Sequence, residues 1–514
     1  MNQRKGNIVI VSNRLPVKIT QTGKKPQLVP GSGGLVTAMA PVLRDRGGTW
    51  IGWAGDKSGK SYKKLFKKET AGIGYSLVPI SLTLQEVEHY YEGFSNATLW
   101  PLFHDFLDRS QFHPDTWHTY CSVNQKFART VAEHSGNDDL IWVHDYHLLL
   151  VGKYLAELGI KRKTSLFIHI PFPPWDLFMR LPWSKEIIAG LLHHDLVGFQ
   201  TERDRWNFVR CLRRLFPGAL VSGPERYQLI EYDGKITRVG AFPISIDFEG
   251  FNQLASSKEA ADEAWYIHER LPERKLVLGV DRLDYTKGIL ERLKAFEILL
   301  EKYSDLRDKI NFIQVVVPSR VDVKEYQDMK RTIDETVGRI NGRFTYRDWV
   351  PIYYIYRTLS RTELVAYYRT CEIALITPLK DGMNLIAKEY CASSVDTDGV
   401  LILSEFAGAA QQLGKSSLLV NPFNAEEVAD KIHMAFHMPE GERKNRMRKL
   451  RAEVRRNNIF RWVDQFLSEV GSPLPKPHTR MHQSHLARRP EGKYMPSKKH
   501  KTSTPEVGSI NKKT

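Results

Sequence analysis

Short runs of apolar residues alternate with longer amphipathic segments along most of the chain. The apolar runs are rich in β-branched residues and nearly free of polar positions, which is typical of strands covered on both faces. The runs predicted to be strands are residues 7–12, 140–144, 165–169, 276–280, 312–317, 372–377 and 400–404. Helices are predicted after two of them, at residues 290–303 and 425–436. Strands that alternate with helices of this length predict βαβ units and parallel sheets, an α/β fold.

Two such series predict two doubly wound, Rossmann-like domains that face each other across a cleft. The first series ends near residues 242–243, a polar helical segment follows at 256–270, and a new strand begins at Lys275. A chain of 514 residues is also too long for one hydrophobic core. We therefore place the first domain at residues 1–250, the second at 251–470 and a tail at 471–514.

Half of the net charge of +16 belongs to this tail. Residues 471–514 hold ten Lys or Arg against two Glu, and they are rich in Pro, Ser, Thr and His. Such a segment buries too little apolar surface to offset its conformational entropy, so we expect it to be disordered. Its charges are interspersed and Tyr494 is its only aromatic residue. We expect a solubilising tail, with nucleic acid or an anionic membrane as the alternative partner.

Cysteine usage and hydropathy favour the cytoplasm. The four cysteines form no CxxC pair and no Cys/His ligand spacing, which argues against a disulfide framework and a structural zinc site. The chain lacks a run of about 18 apolar residues that could span a membrane. The apolar run after the basic N-terminus is too short for a signal peptide. We expect a cytoplasmic protein without a membrane partner, and a homo-oligomer is possible but cannot be read from the sequence.

Polar clusters follow several predicted strands of the first half, at the edge where open α/β sheets place ligands. Arg14 follows the first strand in VSNRLP, and the glycine turn at residues 31–34 precedes a predicted helix whose free N–H groups can bind an anion. Asp145 in WVHDYH and His169 in FIHIPFP also follow strands. Each has a structural alternative, because glycines form ordinary turns, Asp145 can cap a helix, and a lone His is more often structural.

The second half carries the more specific pattern. Arg282 and Lys287 lie five residues apart at a strand-to-helix junction in DRLDYTKG, where a planar fork and a point charge suit a diphosphate. Solvated surface charge is the alternative. In DGMNLIAKE, Asp381 precedes a glycine that permits close backbone approach, and Glu389 lies about one and a half helical turns after Asn384. Such carboxylates suit vicinal hydroxyls, so the pattern predicts an enzyme for a phosphorylated sugar and a nucleotide sugar.

The order of these motifs resembles that of the trehalose-6-phosphate synthases, retaining glycosyltransferases of family 20 with two Rossmann-like domains (the GT-B type). The resemblance covers about residues 7–468 and rests on VSNRLP, GSGGL, FSNATLWPLFH, WVHDYHL, HIPFP, DRLDYTKG, DGMNLIAKEY and LSEFAGAA. It implies transfer of glucose from a nucleotide sugar to glucose 6-phosphate, with retention. UDP-glucose is the commonest donor in the family, while ADP- and GDP-glucose stay open. It also implies no metal or other cofactor, a separate trehalose-phosphate phosphatase downstream, and a last helix that returns to the first domain.

The resemblance further implies a role for each site residue. The acceptor would be bound by Arg14, Tyr91, Trp100, Asp145 and Arg320, the last of which supplies charge for the phosphate. The donor would be bound by Gly33, Gly34, Arg282, Lys287, Leu359, Asp381, Met383, Asn384, Leu385, Ile386, Ala387, Lys388 and Glu389. The catalytic set would be Arg282 and Lys287 on the leaving diphosphate, with Asp381 and His169 on the donor glucose. The family has no clear enzymic nucleophile, so stabilisation of the departing diphosphate would be the main catalytic effect.

Three alternatives are distinguishable from the sequence. A glucosylglycerol-phosphate synthase would share the donor half and take glycerol 3-phosphate, but Arg14 and Arg320 favour the trehalose type. Residues 396–400, DTDGV, resemble the aspartate loop of a haloacid-dehalogenase-type phosphatase, yet that loop should follow a strand, and here a strand follows it. A non-catalytic relative would lack a charge at Arg282, Lys287 or Glu389. Departures from the family are modest: Lys380 replaces a more usual Arg, and residues 20–30 form a long polar approach that we expect to alter the lid.

Overall fold

Two β-sheets, one from each half of the chain, organise the computed structural model. It describes residues 7–22, 25–31, 34–62, 64–66, 72–224, 227–271, 273–320 and 323–473. Gly33 and the predicted tail beyond Pro473 lie outside these ranges. The strands are β1 (Ile8–Arg14), β2 (Val17–Thr22), β3 (Lys25–Pro30), β4 (Thr49–Trp53), β5 (Ser76–Ile80), β6 (Leu140–His144), β7 (Thr164–Phe167), β8 (Leu196–Phe199), β9 (Leu220–Ser222), β10 (Tyr227–Tyr232), β11 (Lys235–Ala241), β12 (Lys275–Arg282), β13 (Ile310–Val317), β14 (Ile352–Tyr356), β15 (Ile373–Ile376), β16 (Val400–Ser404) and β17 (Leu418–Val420).

The strand order confirms the predicted α/β fold with two doubly wound sheets. In the described residues the first sheet runs β5-β4-β1-β6-β7-β8-β11-β10-β9 and the second runs β14-β13-β12-β15-β16-β17. The second sheet is parallel throughout, and the first is parallel from β5 to β11. The sequence did not predict the antiparallel edge of β9 and β10. The described residues of the polar approach, 20–22 and 25–30, belong to the separate pair of strands β2 and β3.

Every predicted strand is present, and several further strands escaped the pattern because glycine interrupts them. The strands β4 and β8, with sequences TWIGW and LVGF, contain Gly52 and Gly198. Glycine inside a strand marks a place where another group approaches closely. A Cβ at Gly52 would lie 2.7 Å from the backbone oxygen of Ser12, and one at Gly198 would lie 2.6 Å from the ring of Phe466. Tertiary packing therefore requires the residues that weakened the strand pattern.

Helices make most of the connections between strands. The α-helices are α1 (Gly34–Arg46), α2 (Leu84–Glu86), α3 (Trp100–Phe103), α4 (Pro114–His134), α5 (Val151–Glu157), α6 (Trp175–Phe178), α7 (Ser184–Leu191), α8 (Glu202–Leu215), α9 (Phe248–Ala255), α10 (Lys258–Arg270), α11 (Ile289–Lys302), α12 (Lys324–Phe344), α13 (Arg361–Thr370), α14 (Leu385–Ser393), α15 (Ala410–Leu413), α16 (Ala425–His437), α17 (Glu440–Arg456) and α18 (Ile459–Gly471). No helix of the described ranges is both long and apolar enough to cross a membrane.

A π-helix at Val87–Leu99 separates α2 from α3 and carries part of the FSNATLWPLFH motif. Its hydrogen bonds close on the fifth residue, as where the Trp100 N–H donates to the Ser95 carbonyl. Residues five apart, such as Tyr91 and Asn96, therefore project from the same face. In an α-helix, with 3.6 residues per turn, they would not. The sequence analysis did not predict this element.

The last helix, α18, lies against the first sheet. The Phe466 ring stacks on Trp142 with centroids 4.5 Å apart, and the Trp462 ring meets Phe167 edge-on at 5.0 Å. Beyond the helix, an Arg238 guanidinium N–H donates to the Pro473 carbonyl over 3.4 Å. The folded chain thus continues to Pro473, past residue 471 where the tail was expected to begin.

We expect a chain that ends at Pro473 to keep the thermal stability and transfer activity of the full chain, because every described contact of α18 is retained. A chain that ends at Asn457 loses α18 and exposes Trp142 and Phe167. We expect it to unfold or aggregate, since deleting even one large aromatic side chain from a core costs about 3–5 kcal/mol. Circular dichroism melting and an activity assay measure both variants. A stable but inactive chain ending at Pro473 would contradict the prediction and assign the tail to catalysis.

Candidate active site

The loops at the carboxyl ends of the two sheets meet across a cleft. Gly382, which follows β15, touches the loop after β7 so closely that a Cβ there would lie 2.2 Å from the His169 carbonyl oxygen. Lys380 forms an ion pair with Asp105 of the first half, with 2.5 Å between Nζ and Oδ2. The Phe106 and Tyr285 rings pack edge to face with centroids 5.1 Å apart. The residues that the sequence placed at strand ends therefore converge on one site.

A chamber of about 1010 Å³ opens in this cleft, and residues predicted to bind the acceptor line it. Arg14, the last residue of β1, lines it and lies with its guanidinium 3.8 Å from the ring centroid of Trp53. Tyr91 of the π-helix also lies beside Arg14, with its ring centroid 5.0 Å from the guanidinium carbon and 5.7 Å from the Trp53 ring centroid. Stacking on aromatic faces holds the cation while leaving its N–H groups free for a ligand.

Arg320, which follows β13, reaches the same chamber from the second half. Its backbone adopts φ = 48°, a conformation that non-glycine residues rarely adopt and that often marks functional sites. One guanidinium nitrogen donates to Asn96 Oδ1 over 2.8 Å and the other donates to the Tyr326 hydroxyl. The guanidinium carbon lies 5.2 Å from the ring centroid of Trp100. Three of the predicted acceptor residues, Arg14, Tyr91 and Arg320, thus line one chamber, and Trp100 lies beside it.

The electrostatics of Tyr91 indicate an excess of positive charge in the chamber. Burial alone would raise the pKa of its hydroxyl, but the nearby guanidinium groups of Arg14 and Arg320 outweigh burial and lower it. A site that favours a phenolate also favours a bound anion. The chamber therefore suits a phosphorylated ligand.

Asp145, the last predicted acceptor residue, follows β6 at φ = 75° and remains partly exposed to the cleft. Its Oδ1 accepts hydrogen bonds from the backbone N–H of Tyr146 over 3.0 Å and of His169 over 3.2 Å. Burial nevertheless raises the pKa of the carboxyl from 3.8 to about 7, against the effect of these two bonds and of Arg282. Asp145 thus caps the short helix at Tyr146–Leu148, which is the structural alternative that the sequence left open. Its Oδ2 takes part in neither of the two bonds.

His169 lies at the cleft, but both of its ring nitrogens have protein partners. Nε2 lies 3.0 Å from His144 Nδ1, and Nδ1 lies 3.4 Å from Gln200 Nε2. Burial lowers the pKa of His169 to about 3, so the ring is neutral. The main-chain oxygen, rather than a free ring nitrogen, meets Gly382. The predicted contact between the imidazole and a donor sugar stays a prediction.

Lys287, one of the residues predicted to bind the donor, lies in the turn between β12 and α11. Its Nζ lies 2.7 Å from Asp381 Oδ2. Burial alone would raise the pKa of Asp381, but the Lys287 ammonium lowers it, so the pair is ionised. Behind Lys287, the fully buried Arg292 pairs with Asp281 over 2.8 Å and donates to the Lys287 carbonyl over 3.2 Å.

Arg282 is the last residue of β12, and its side chain is exposed. Unlike Lys287, it makes no hydrogen bond or ion pair with any residue that the structure describes. A free guanidinium at the carboxyl end of a strand, five residues before a lysine, is available to a diphosphate. This geometry matches the predicted role without testing it.

Residues that follow Asp381 donate hydrogen bonds to its carboxylate. The backbone N–H of Met383 donates to Asp381 Oδ1 over 3.3 Å, and Asn384 Nδ2 donates to Oδ2 over 3.2 Å. Asn384 caps α14 through its Oδ1, which accepts from the Ala387 N–H. The N–H groups of Leu385 and Ile386 belong to the first turn, where no intrahelical partner exists, so they can bind an anion or a hydroxyl.

The other predicted donor residues lie on several sides of the cleft. Gly34 is the first residue of α1, where a Cβ would lie 3.0 Å from the Leu385 side chain, and Gly33 lies outside the described residues. Glu389 is partly exposed, its Oε2 accepts from the Tyr368 hydroxyl over 3.0 Å, and burial raises its pKa. Leu359 follows β14 and is partly buried against the core.

Lys388 does not point into the site. Its ammonium is buried and donates to the Ile244 carbonyl over 2.6 Å and to Gln412 Oε1 over 2.7 Å. Burial lowers its pKa to about 7. Ile244 belongs to the segment that joins the two sheets, so Lys388 anchors α14 to the connection instead of offering its charge to a ligand.

Some residues at the cleft were missed by the sequence analysis. Asn96, His144 and Asp105 contact Arg320, His169 and Lys380 respectively. Asn96 lies within the quoted FSNATLWPLFH motif, but only the π-helix reveals that it shares a face with Tyr91. Residues 396–400, which resemble a phosphatase loop in sequence, contain Asp398. Both of its carboxylate oxygens accept hydrogen bonds from the Arg443 guanidinium over 2.9 Å.

Comparison with known proteins agrees with this geometry. The model of Glycosyltransferase family 20 matches residues 6–472. The chain is 40% identical over 475 residues to the trehalose-6-phosphate synthase of Mycolicibacterium vanbaalenii, covering 91% of this chain and 96% of that protein. It is 41% identical to a bifunctional trehalose-6-phosphate synthase/phosphatase of Thermoproteus tenax, covering 90% of this chain but only 63% of that protein.

Two solved structures are similar along most of the chain. One is an alpha,alpha-trehalose-phosphate synthase (UDP-forming) from Burkholderia xenovorans in complex with glucose-6-phosphate, with a TM-score of 0.83 and 36% identity. The similarity covers 91% of this chain and 100% of the Burkholderia chain. The other, from E. coli, is bound with UDP-2-fluoro glucose and has a TM-score of 0.81 and 35% identity, again with 91% and 100% coverage.

We expect Asp145→Asn to raise thermal stability at pH 8 and to raise it less as the pH falls. An Asn keeps the oxygen that accepts both backbone N–H bonds and removes a buried charge. Because the folded state raises the pKa from 3.8 to about 7, the native carboxyl holds its proton to higher pH. The wild type therefore loses stability as the pH rises from about 4 to about 7. Melting curves of both proteins between pH 5 and pH 8 test this; a gain that does not grow with pH would contradict it.

Proposed function

The chain belongs to glycosyltransferase family 20, and from this membership we propose that it transfers glucose from UDP-glucose to glucose 6-phosphate with retention, giving trehalose 6-phosphate and UDP. The observation that carries the proposal is the placement of four cations around one cleft. Arg14 and Arg320 lie on the acceptor side, and Arg282 and Lys287 lie on the donor side. Two separate basic groups suit two phosphorylated substrates, one on each side.

The acceptor side supports glucose 6-phosphate as the nucleophile. Arg14 and Arg320 would hold its phosphate, and Tyr91 and Trp100 would pack against the sugar. The free Oδ2 of Asp145 would orient a hydroxyl. The similar Burkholderia protein binds glucose-6-phosphate, which agrees with this assignment. Glycerol 3-phosphate, the acceptor of the alternative activity, would leave much of the aromatic surface uncovered.

The donor side supports a nucleotide sugar whose diphosphate leaves. Arg282 and Lys287 would bind the diphosphate, Glu389 would bind the ribose, and Asp381 with the N–H groups of Leu385 and Ile386 would hold the glucose. On binding, the phosphate would compete with Asp381 for the Lys287 ammonium. UDP-glucose is the proposed donor because the similar E. coli protein binds UDP-2-fluoro glucose.

The reaction would proceed on one face of the donor sugar. The bond from the donor anomeric carbon to the diphosphate oxygen breaks, and the anomeric hydroxyl oxygen of glucose 6-phosphate forms the new glycosidic bond. Its proton passes to the departing phosphate oxygen, so no protein nucleophile is required. Fixed cations beside the leaving group then lower the barrier by electrostatic stabilisation, and the acceptor contacts contribute orientation.

We also propose that the reaction needs no metal, because Arg282 and Lys287 supply the charge that a divalent cation would otherwise supply to the diphosphate. Hydrolysis of the product is assigned to a separate phosphatase, since the candidate loop at residues 396–400 has its Asp398 paired with Arg443. The chain spans 63% of the bifunctional relative, so that protein's second activity is not transferred to this chain.

A substrate matrix tests the function. The purified chain is given UDP-, ADP- or GDP-glucose with glucose 6-phosphate or glycerol 3-phosphate, with and without EDTA. Nucleotide release and the anomeric configuration of the product are measured. We expect turnover with UDP-glucose and glucose 6-phosphate, an α,α-linked product and no effect of EDTA. Turnover with glycerol 3-phosphate alone would overturn the acceptor roles of Arg14 and Arg320 while leaving the donor site in place.

We expect Arg282→Ala to lower kcat/KM by at least about 30-fold, which corresponds to about 2 kcal/mol of barrier, as removal of one donor to a developing oxyanion does elsewhere. Lys287→Ala should cost at least as much. Arg461→Ala, at an exposed position on α18, is the matched control and should change kcat/KM less than about twofold. Steady-state kinetics with both substrates varied measure the effect, and near-normal turnover of a folded Arg282→Ala variant would refute the role.

A further inference from the structure

Asn96 occupies a central position in the acceptor chamber. Its Oδ1 accepts hydrogen bonds from the Tyr146 hydroxyl over 2.9 Å and from an Arg320 guanidinium nitrogen over 2.8 Å. Tyr146 follows β6 in the first half and Arg320 follows β13 in the second, so Asn96 joins residues of both halves. Asn96 also lines the chamber that contains Arg14 and Tyr91.

The orientation of the Asn96 amide is fixed by chemistry. A guanidinium group has only donors, so the atom that faces Arg320 has to be the amide oxygen. The NH₂ group is then directed elsewhere. Nδ2 is buried and has no hydrogen-bond partner among the residues that the structure describes. Buried polar atoms without partners are rare in folded proteins, and each one calls for a physical explanation.

Asn96 is not alone in this respect. Trp100 Nε1 and His147 Nε2 are also buried without a partner in the described part of the chain. Both residues surround Tyr146, since the Trp100 and Tyr146 ring centroids lie 5.7 Å apart and those of Tyr146 and His147 lie 3.9 Å apart. Three buried polar atoms without a partner therefore surround Tyr146, and among these residues Asn96 is the one that lines the chamber.

The π-helix explains how Asn96 comes to lie there. Tyr91 and Asn96 are five residues apart and share a face because the hydrogen bonds of this helix close on the fifth residue. Trp100 follows directly after the same helix, so one element presents an aromatic ring and an amide to the chamber and places an indole beside it. An ordinary α-helix would turn Asn96 away from Tyr91.

We propose that Asn96 is a further acceptor-binding residue that senses the charge of the acceptor: its carbonyl oxygen holds Arg320 and Tyr146, and its NH₂ group donates to the phosphate that Arg320 binds. The guanidinium nitrogen bonded to Asn96 is 2.8 Å from the amide oxygen, so an anion on this guanidinium lies beside the amide. The proposal rests on the proposed function, because it assigns a residue to its phosphate subsite.

The variant Asn96→Asp distinguishes a role of Asn96 in phosphate binding from a role in holding Arg320 and Tyr146. The aspartate keeps an oxygen that accepts from Tyr146 and Arg320, but it replaces the NH₂ donor with a negative charge beside the phosphate. We expect the KM for glucose 6-phosphate to rise at least about tenfold, through loss of a charge-assisted bond and like-charge repulsion. We expect kcat and the KM for the nucleotide sugar to change less than about threefold, which a merely misfolded or misaligned site would not reproduce.

The matched control is Gln111→Glu, which converts an amide to a carboxylate in another residue lining the same chamber. It measures how far one added charge anywhere in the chamber weakens the acceptor, and we expect it to raise the KM less than about threefold. If Asn96→Asp does not fold, Asn96→Ser provides the second test, and we expect it to raise the same KM by about three- to tenfold. Because Asn96→Ser removes the oxygen that holds Arg320 and Tyr146 together with the NH₂ group, its control is Tyr146→Phe, which removes one bond to that oxygen and keeps the NH₂ group.

The outcomes distinguish this proposal from the proposed function. If the wild type fails to use glucose 6-phosphate, the proposed function fails before any variant is compared. If the wild type is active and Asn96→Asp raises the KM no more than Gln111→Glu does, Asn96 only supports Arg320 and the binding role is wrong. A selective rise in the acceptor KM for Asn96→Asp beyond that for Gln111→Glu, or in its place for Asn96→Ser beyond that for Tyr146→Phe, supports the binding role.

Discussion

The concentration of positive charge between the two sheets is the constraint on which the rest of the site depends. Like charges repel strongly where water is partly excluded, so each cation needs a partner, an aromatic face or access to solvent. The structure uses all three solutions. Arg14 lies on Trp53, Lys287 is paired with Asp381, and Arg282 remains exposed. Arg282 is the cation whose charge stays exposed to solvent, so it is available to an anion without breaking an ion pair with a described residue.

Contacts outside the cleft also hold the two halves together. The helix α18 returns from the second half and packs its aromatic side chains on the first sheet, where Gly198 leaves space for Phe466. At the connection, the Lys388 ammonium donates to the backbone carbonyl of Ile244. The backbone N–H of Ile244 donates in turn to Gln200 Oε1. Gln200 also approaches His169 at the cleft. A continuous set of hydrogen bonds thus links the connection between the sheets to the donor side of the site.

The alternation of apolar and amphipathic segments was sufficient for the fold class, because strands buried on both faces must be continuously apolar and the predicted strands are. It was insufficient at β4 and β8, where close packing requires glycine, and at the β9–β10 edge, whose residues are more polar. Among site residues, Arg14, Asp145, Arg282 and Asp381 could be placed from the sequence, since each lies at or shortly after the end of a strand and the carboxyl ends of parallel strands meet at one edge.

The sequence by itself therefore determined the fold class, the positions of the strand-end residues and the family. These properties depend on local patterns and on chain order. Only the tertiary structure decided where individual side chains of a motif point. Lys388 lies within DGMNLIAKEY, but its ammonium points to the connection between the sheets. Asn96 lies within FSNATLWPLFH and reaches the chamber because that motif begins in a π-helix. The physical reason is that direction and partnership depend on atoms distant in sequence, here Ile244 for Lys388 and Arg320 for Asn96.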